Sequence, residues 1–270
     1  MKRKIIISLV IAFLLNFSSV QLYGQENSNT TGKDTTIQLF NGQNLDGWYT
    51  FLKDRGRDND PKKVFTVNNG MIQISGEEWG CIITEKEYEN YHLSVEFKWG
   101  EKTFSSRIDK ARDSGILLHS IGKDGAHGGI WMNSIECQLI EGGTGDFIVV
   151  GDGSDAFSLT SPVAAEKQGS SPIFQPTGNP VTIKGGRINW YGRDPNWQDV
   201  KDFRGANDVE NPVGEWNKLD CIVSDGNIAI YLNDKLVNKA FDVKPSKGRI
   251  QIQSEGAEIL FKKVTLTSLP

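Results

Sequence analysis

The sequence predicts an all-β fold, an antiparallel β-sandwich of jelly-roll type. Three observations predict it. Many short segments alternate apolar and polar residues with period two. Turn signals such as Asn68-Asn69-Gly70, Asp225-Gly226 and Asn233-Asp234 punctuate them. No stretch holds a helical period beyond a turn or two.

The elements follow in order. Met1-Lys2-Arg3-Lys4 is basic, Ile5 to Leu15 is nearly all apolar, and Ser18, Ser19 and Gly24 are small. Residues 1–24 therefore read as a signal peptide, with cleavage near Gly24-Gln25 and no stable membrane insertion afterwards. The expected location is outside the cytoplasm, periplasmic or secreted. Residues 25–35 read as a polar flexible leader, and 36–270 as a single domain.

Strands are expected at Thr36–Phe40, Val64–Val67, Met71–Ser75 and His92–Trp99. In the last of these Leu93, Val95, Phe97 and Trp99 share one side. Gly115–Ser120, Ser134–Glu141 and Asp146–Val150 follow, then Val181–Lys184, Arg187–Tyr191 and Trp216–Ser224. Asn227–Asn233, Gly248–Ser254 and Glu258–Thr267 complete the set. Segments 100–113, 156–180 and 190–212 read as long loops, the usual place for a binding site on a rigid sandwich.

The formal net charge is −4 with acids and bases well mixed, so nothing calls for nucleic acid or an anionic membrane as partner. Cys81, Cys137 and Cys221 are an odd number, so at least one is free, and no cysteine spacing suggests zinc. Cys137 and Cys221 alternate with apolar residues and read as buried small hydrophobes. Asp152-Gly153-Ser154-Asp155 lacks the spacing of a calcium loop and reads equally as a turn.

Strand parity supplies the functional clue. Glu136 and Gln138 share one face of their strand, while Ile135, Cys137 and Leu139 share the other. His119 falls opposite Ile116 and Leu118. Gln251, Gln253 and Glu255 fall opposite Ile250 and Ile252. Three strands thus present polar groups opposite apolar ones, as a sugar-binding groove requires and as any solvated sheet face would also show.

Several motifs, in order along the chain, carry a resemblance. They are Leu39-Phe40-Asn41-Gly42 with Leu45-Asp46-Gly47-Trp48, Thr84-Glu85-Lys86-Glu87-Tyr88, Arg112-Asp113-Ser114-Gly115 and Ser134-Ile135-Glu136-Cys137-Gln138. Gly214-Glu215-Trp216-Asn217 and the run from Gly248 to Ile259 extend it. From about Thr36 to Leu269 the chain resembles the 3-keto-disaccharide hydrolase family. It departs in the last strand, where Phe261-Lys262-Lys263-Val264 replaces a common Arg-Asn pair, and in the unusual Gly125-Ala126-His127-Gly128-Gly129.

The resemblance implies a concanavalin/laminin-G-like jelly roll and cleavage of oxidised glycosides, with an oligosaccharide or glycoside as substrate. In such chemistry a ketone at C3 acidifies the proton on C2. A base removes it, the oxygen on C1 leaves, and water adds back. That route needs a base, an acid, and donors or a divalent metal to stabilise the enolate.

Glu136 suits the base or a metal ligand, or a carboxylate that only bonds sugar hydroxyls. His119 suits the acid or a ligand, or a structural role. Arg112 and Lys110 suit polarisation of the ketone, with plain surface charge as the alternative. Gln138, Gln251, Gln253 and Glu255 suit contacts to substrate, and His127 suits the same contacts, although a solvated loop role fits it better. Trp131 and Trp197 suit stacking on sugar rings, with a core or edge role as the alternative for Trp131 but not for Trp197, which stands in a polar loop. A non-catalytic carbohydrate-binding module is the alternative. An ordinary endo-glycosidase is disfavoured because Gln138 and Ile140, not acids, follow Glu136 on its face.

Overall fold

The computed structural model describes residues 35–270. The expected signal peptide and nearly all of the leader lie outside the described residues. Among the described residues there are nineteen strands, no α-helix and one short 3-10 turn, Ser105–Arg107. The strands are β1 (Thr36–Gln38), β2 (Trp48–Leu52), β3 (Gly56–Arg57), β4 (Phe65–Asn68), β5 (Met71–Ile74), β6 (Gly80–Thr84) and β7 (Tyr91–Thr103). Next come β8 (Asp113–Ile121), β9 (Asn133–Ile140), β10 (Phe147–Val150), β11 (Ser158–Gln168), β12 (Ser171–Phe174) and β13 (Asn179–Ile183). The last are β14 (Gly186–Ile188), β15 (Asn217–Ser224), β16 (Asn227–Leu232), β17 (Lys235–Lys244), β18 (Arg249–Ser254) and β19 (Ala257–Ser268).

They form two antiparallel sheets. One follows the order β12-β11-β17-β16-β15-β7-β19-β5-β4, with β1 beside β19 and β13 beside β11. The other runs β14-β10-β9-β8-β18-β6-β2-β3. This is the sandwich that the alternation predicts. The three turn signals close the β4–β5, β15–β16 and β16–β17 hairpins. Asn233 and Asp234 both have positive φ, the backbone that a two-residue hairpin turn demands.

The core lies between the sheets. Leu93, Val95, Phe97 and Trp99 of β7 meet Ile116 and Leu118 of β8 and Ile135, Cys137 and Leu139 of β9 there. Each such apolar side chain stabilises the fold by about 1.5–3 kcal/mol on burial. All three cysteines are free and buried, so Cys137 and Cys221 pack as small hydrophobes.

Two expectations need correction. Segment 156–180 is not a loop: β11 and β12 fill it, and β13 begins at its end. Segment 100–113 is partly strand, because β7 runs on to Thr103. The Asp152 motif forms a turn, with the Ser154 amide donating to Asp152 Oδ1 at 2.9 Å.

A second, smaller apolar cluster sits on the other face of the eight-stranded sheet. It joins Tyr49, Cys81, Ile83, Leu117, Ile130, Trp131, Met132 and Val150. Leu117 belongs to it while Ile116 and Leu118 belong to the main core, so strand parity holds along this part of β8. This outer face, partly covered by the 122–132 segment, carries the polar residues of interest.

Candidate functional site

Register lines the outer face up. Arg187, Ile148, Glu136, Leu117, Gln251, Ile83 and Tyr49 stand side by side across seven strands. In the next row Gln138 pairs with Gly115, and Gln253 pairs with Cys81. Asp113 and Glu255 lie two residues further along β8 and past the end of β18 on the same face. Gly115 makes their meeting sterically feasible. A Cβ there would stand 2.4 Å from Glu136 Oε1 and 2.3 Å from Gln253 Oε1, closer than any side chain tolerates.

Glu136, Asp113 and Gln138 are buried, and Glu255 is half-buried. Burial, followed by the Asp113 charge, raises Glu136 well above the ordinary carboxylate range. Burial also raises Asp113, against the pull of Arg107 and Arg187. Glu255 is raised by burial, then by Asp113 and Glu136. Like charges this close in a buried setting cannot all ionise, so the trio retains protons near neutral pH.

Two arginines offset part of that charge. Arg107 projects from the 3-10 turn, with Nη2 3.4 Å from the Asp113 carboxylate and 2.9 Å from Asp199. Gly256, at φ +82°, lets it in, since a Cβ there would lie 2.5 Å from Arg107 Cγ. Arg187 enters from β14, is 2.7 Å from buried Asp146, and acts on all three acids.

The amides are only half satisfied. Gln138 Nε2 donates to Asp113 Oδ1 at 2.7 Å, and the Gln253 side chain bonds Glu136. Yet Gln138 Oε1 and Gln253 Oε1 are buried with no partner within the protein. An unpaired buried acceptor costs about 1–3 kcal/mol, and sugar hydroxyls are the donors that would relieve it.

The predicted residues separate into groups. Glu136, Gln138, Gln253 and Glu255 come together. Gln251 shares their face, but both ends of its amide are engaged within the protein. Its Oε1 accepts from Cys81 Sγ at 3.2 Å and the Met132 amide at 3.3 Å, and its Nε2 donates to Ser120 Oγ at 2.8 Å. Buried Trp131 tilts against Trp79 at 6.4 Å between ring centroids. His127 is exposed on the covering segment, 3.2 Å from the Gly151 carbonyl.

His119 does not join them. A bulge after Leu118 breaks the alternation and leaves His119 at φ +54°. Its ring packs edge-on to core Tyr91, and its Nδ1 lies 2.7 Å from the Pro245 carbonyl. Burial lowers its pKa to about 4, so it is neutral at pH 7, and the one N–H it keeps, on Nδ1, is donated to the Pro245 carbonyl rather than to a leaving group.

Arg112 is likewise turned away. It is 1% exposed, ion-paired to Glu141 at 2.6 Å and Asp202 at 2.7 Å, and donates to the Gly100 carbonyl. Lys110 is exposed and reaches the cluster only through Asp199, at 3.5 Å. Trp197 donates to the Glu141 carbonyl at 2.8 Å, and Arg193 stacks on its ring at 4.2 Å. That ring pins the 190–212 segment and is not a free sugar platform.

The carboxylate argument also changes. Acids missing from β9 are supplied beside it by Asp113 and Glu255, so paired carboxylates are available in space. Asp113, Arg107, Arg187 and Trp79 are the residues that sequence reasoning passed over. Among the described residues no group of three or more His, Cys, Asp and Glu side chains is disposed to hold a metal ion.

Known proteins bear on this geometry. No curated protein matches the chain. A solved candidate glycosyl hydrolase from Parabacteroides distasonis is 20% identical, with a TM-score of 0.52, over 87% of this chain and 94% of its own. A second from that organism is 19% identical, TM-score 0.49, over 87% and 100%. A carbohydrate binding module from Bacillus subtilis is 13% identical, TM-score 0.43, over 82% and 96%. At such identity the first of these likenesses establishes the fold alone. The 3-keto-alpha-glucoside-1,2-lyase-like domain matches residues 35–267, nearly all of the described chain, and on that match the protein belongs to the 3-keto-disaccharide hydrolase family.

Proposed function

We propose that the protein cleaves 3-keto-glycosides at the Asp113–Glu136–Glu255 cluster, after export through its first 24 residues. The observation that carries this reading is the cluster itself: acids sharing protons, arginines at two edges, and unpartnered amide oxygens over a glycine floor.

An ionised carboxylate of the cluster, assigned to Glu136, takes the C2 proton. The C1–O bond to the leaving group breaks as the C1–C2 double bond forms. A protonated neighbour, Asp113 or Glu255, gives its proton to the departing oxygen. Water then adds at C1 and a proton returns to C2. Arg107 and Arg187 lie where they would offset the charge of an enolate. Gln138 and Gln253 would accept from ring hydroxyls.

A second reading is ordinary acid–base hydrolysis of an unoxidised glycoside, favoured by the closeness of Glu136 to two further acids. A module that only binds sugars would use the same amides. Incubation with a 3-keto-glucoside and its unoxidised counterpart, followed by sugar analysis, separates them. Cleavage of the keto sugar alone is expected; faster cleavage of the unoxidised sugar, or none of either, overturns the proposal.

The cluster also sets a pH dependence. Its acids have folded pKa values raised above their unfolded ones. Folding therefore favours the protonated form. The associated stability is full below the ordinary carboxylate range, about pH 4, and is lost as pH rises through the raised values. Chemical denaturation followed from pH 5 to 8 should show falling stability, less steeply in Glu136→Gln. A rise over that range in wild type contradicts the assignment.

A further inference from the structure

Beside the cluster lies a cavity of about 500 Å³, lined by Trp79, Arg55, Glu78, Ser105, Ser106 and Ile130 among others. Its size falls within the roughly 300–1,000 Å³ of small-molecule sites. Nothing in the mechanism above uses it.

Two connections tie it to the acids. Ser254 pairs with Gly80 in the β18–β6 ladder, so the next residues, Glu255 and Trp79, face one another across the strand ends. Ser254 Oγ donates to the Glu78 carbonyl at 2.7 Å and fixes that approach. From the other side, Ser105 and Ser106 belong to the 3-10 turn that ends in Arg107, whose guanidinium reaches Asp113.

The lining has the chemistry of a sugar site. Trp79 is half-buried and tilts against Trp131, which holds its indole in place while leaving it partly open. Arg55 forks onto Glu78 at 2.6 and 2.7 Å, and Lys62 adds a contact at 2.9 Å. Those hydrogen bonds, from Arg55 first, hold the Glu78 carboxyl at about 2, so it stays an acceptor at any working pH. Donors, acceptors and one aromatic face meet in a single recess.

We infer that this cavity is the subsite for the leaving side of the substrate, taking the pyranose ring attached through the C1 oxygen, with Trp79 as its stacking platform. The inference rests on the proposed reading for placing the keto ring at the cluster. It assigns specificity for a disaccharide over a simple glycoside to Trp79, a residue that touches no reacting atom.

The test uses the full chain as wild type, Trp79→Ala and Trp79→Phe, with a 3-keto-glucosyl-glucose and methyl 3-keto-glucoside. Loss of one aromatic platform should raise KM for the disaccharide roughly tenfold. Parameters for the methyl glycoside should stay within about twofold, and Trp79→Phe should recover most of the disaccharide effect. Equal loss on both substrates, or no loss on the disaccharide, overturns the inference. If wild type cleaves neither substrate, the proposed reaction falls and calorimetric titration with the unoxidised glucosyl-glucose decides the subsite. Binding that weakens in Trp79→Ala but persists in Glu136→Gln supports it. Binding unchanged in Trp79→Ala, or absent from wild type, overturns it.

Discussion

Replacing Glu136 by Gln should lower turnover of a 3-keto-glucoside by at least roughly 100-fold while the protein stays folded, the usual scale for losing a positioned acid or base. The substitution keeps shape and removes basicity. Glu136 is 4% exposed, beneath Gln253 and beside Gly115, so little repacking is required. Stability should be unchanged or slightly higher above neutral pH, because burial already disfavours the ionised carboxylate and the amide carries no charge. Steady-state kinetics with a melting curve checks both halves. Near-normal turnover in a folded variant removes Glu136 from the mechanism, and collapse of the fold makes it structural.

Arg112→Met should do the reverse. It removes the cation that holds buried Glu141 at 2.6 Å and leaves that carboxylate without its main partner. Breaking a buried pair in this way costs about 3–5 kcal/mol. In a domain of this size that is roughly 10 °C in Tm. Catalysis at a temperature where the variant remains folded should fall far less than in Glu136→Gln. An unchanged Tm with abolished turnover would return Arg112 to the chemistry that its motif position suggests.

The contrast between these residues shows what strand parity can and cannot deliver. Alternation placed Glu136 and Gln138 correctly because β9 is regular along its length. It failed at His119, where a bulge intervenes and a left-handed residue turns the ring toward Tyr91. In Arg112-Asp113-Ser114-Gly115, parity applied from Leu117 backwards points to Asp113 and Gly115, while Arg112 falls on the opposite side, where Glu141 and Asp202 hold it. Arg187 had no local signal. It reaches Glu136 only through the pairing of β14 with β10 and of β10 with β9.

The fold was legible where one face is wet. β6, Gly80–Thr84, is buried at every position, so its sequence shows no alternation by which a strand is recognised. β12 was hidden by a proline, whereas β13, legible from Val181, begins two residues earlier across Pro180. Pro172 and Pro180 lie in short strands at the margin of their sheet, where a missing N–H is tolerated. Trp79 was overlooked for a related reason: it precedes β6 and gains meaning only through its pairing opposite Glu255.

The mechanism is tested most directly by isotope. Cleavage of a 3-keto-glucoside in deuterium oxide, stopped early and read by mass spectrometry and proton NMR, asks whether C2 loses its proton in the reaction. Elimination with re-addition of water predicts one solvent deuterium at C2 of the released keto sugar, above the level in unreacted substrate and in keto sugar incubated without enzyme. Product carrying no deuterium at C2 beyond those controls would contradict removal of the C2 proton and leave direct displacement at C1, with Glu136 and its neighbouring acids acting as an ordinary glycosidase pair.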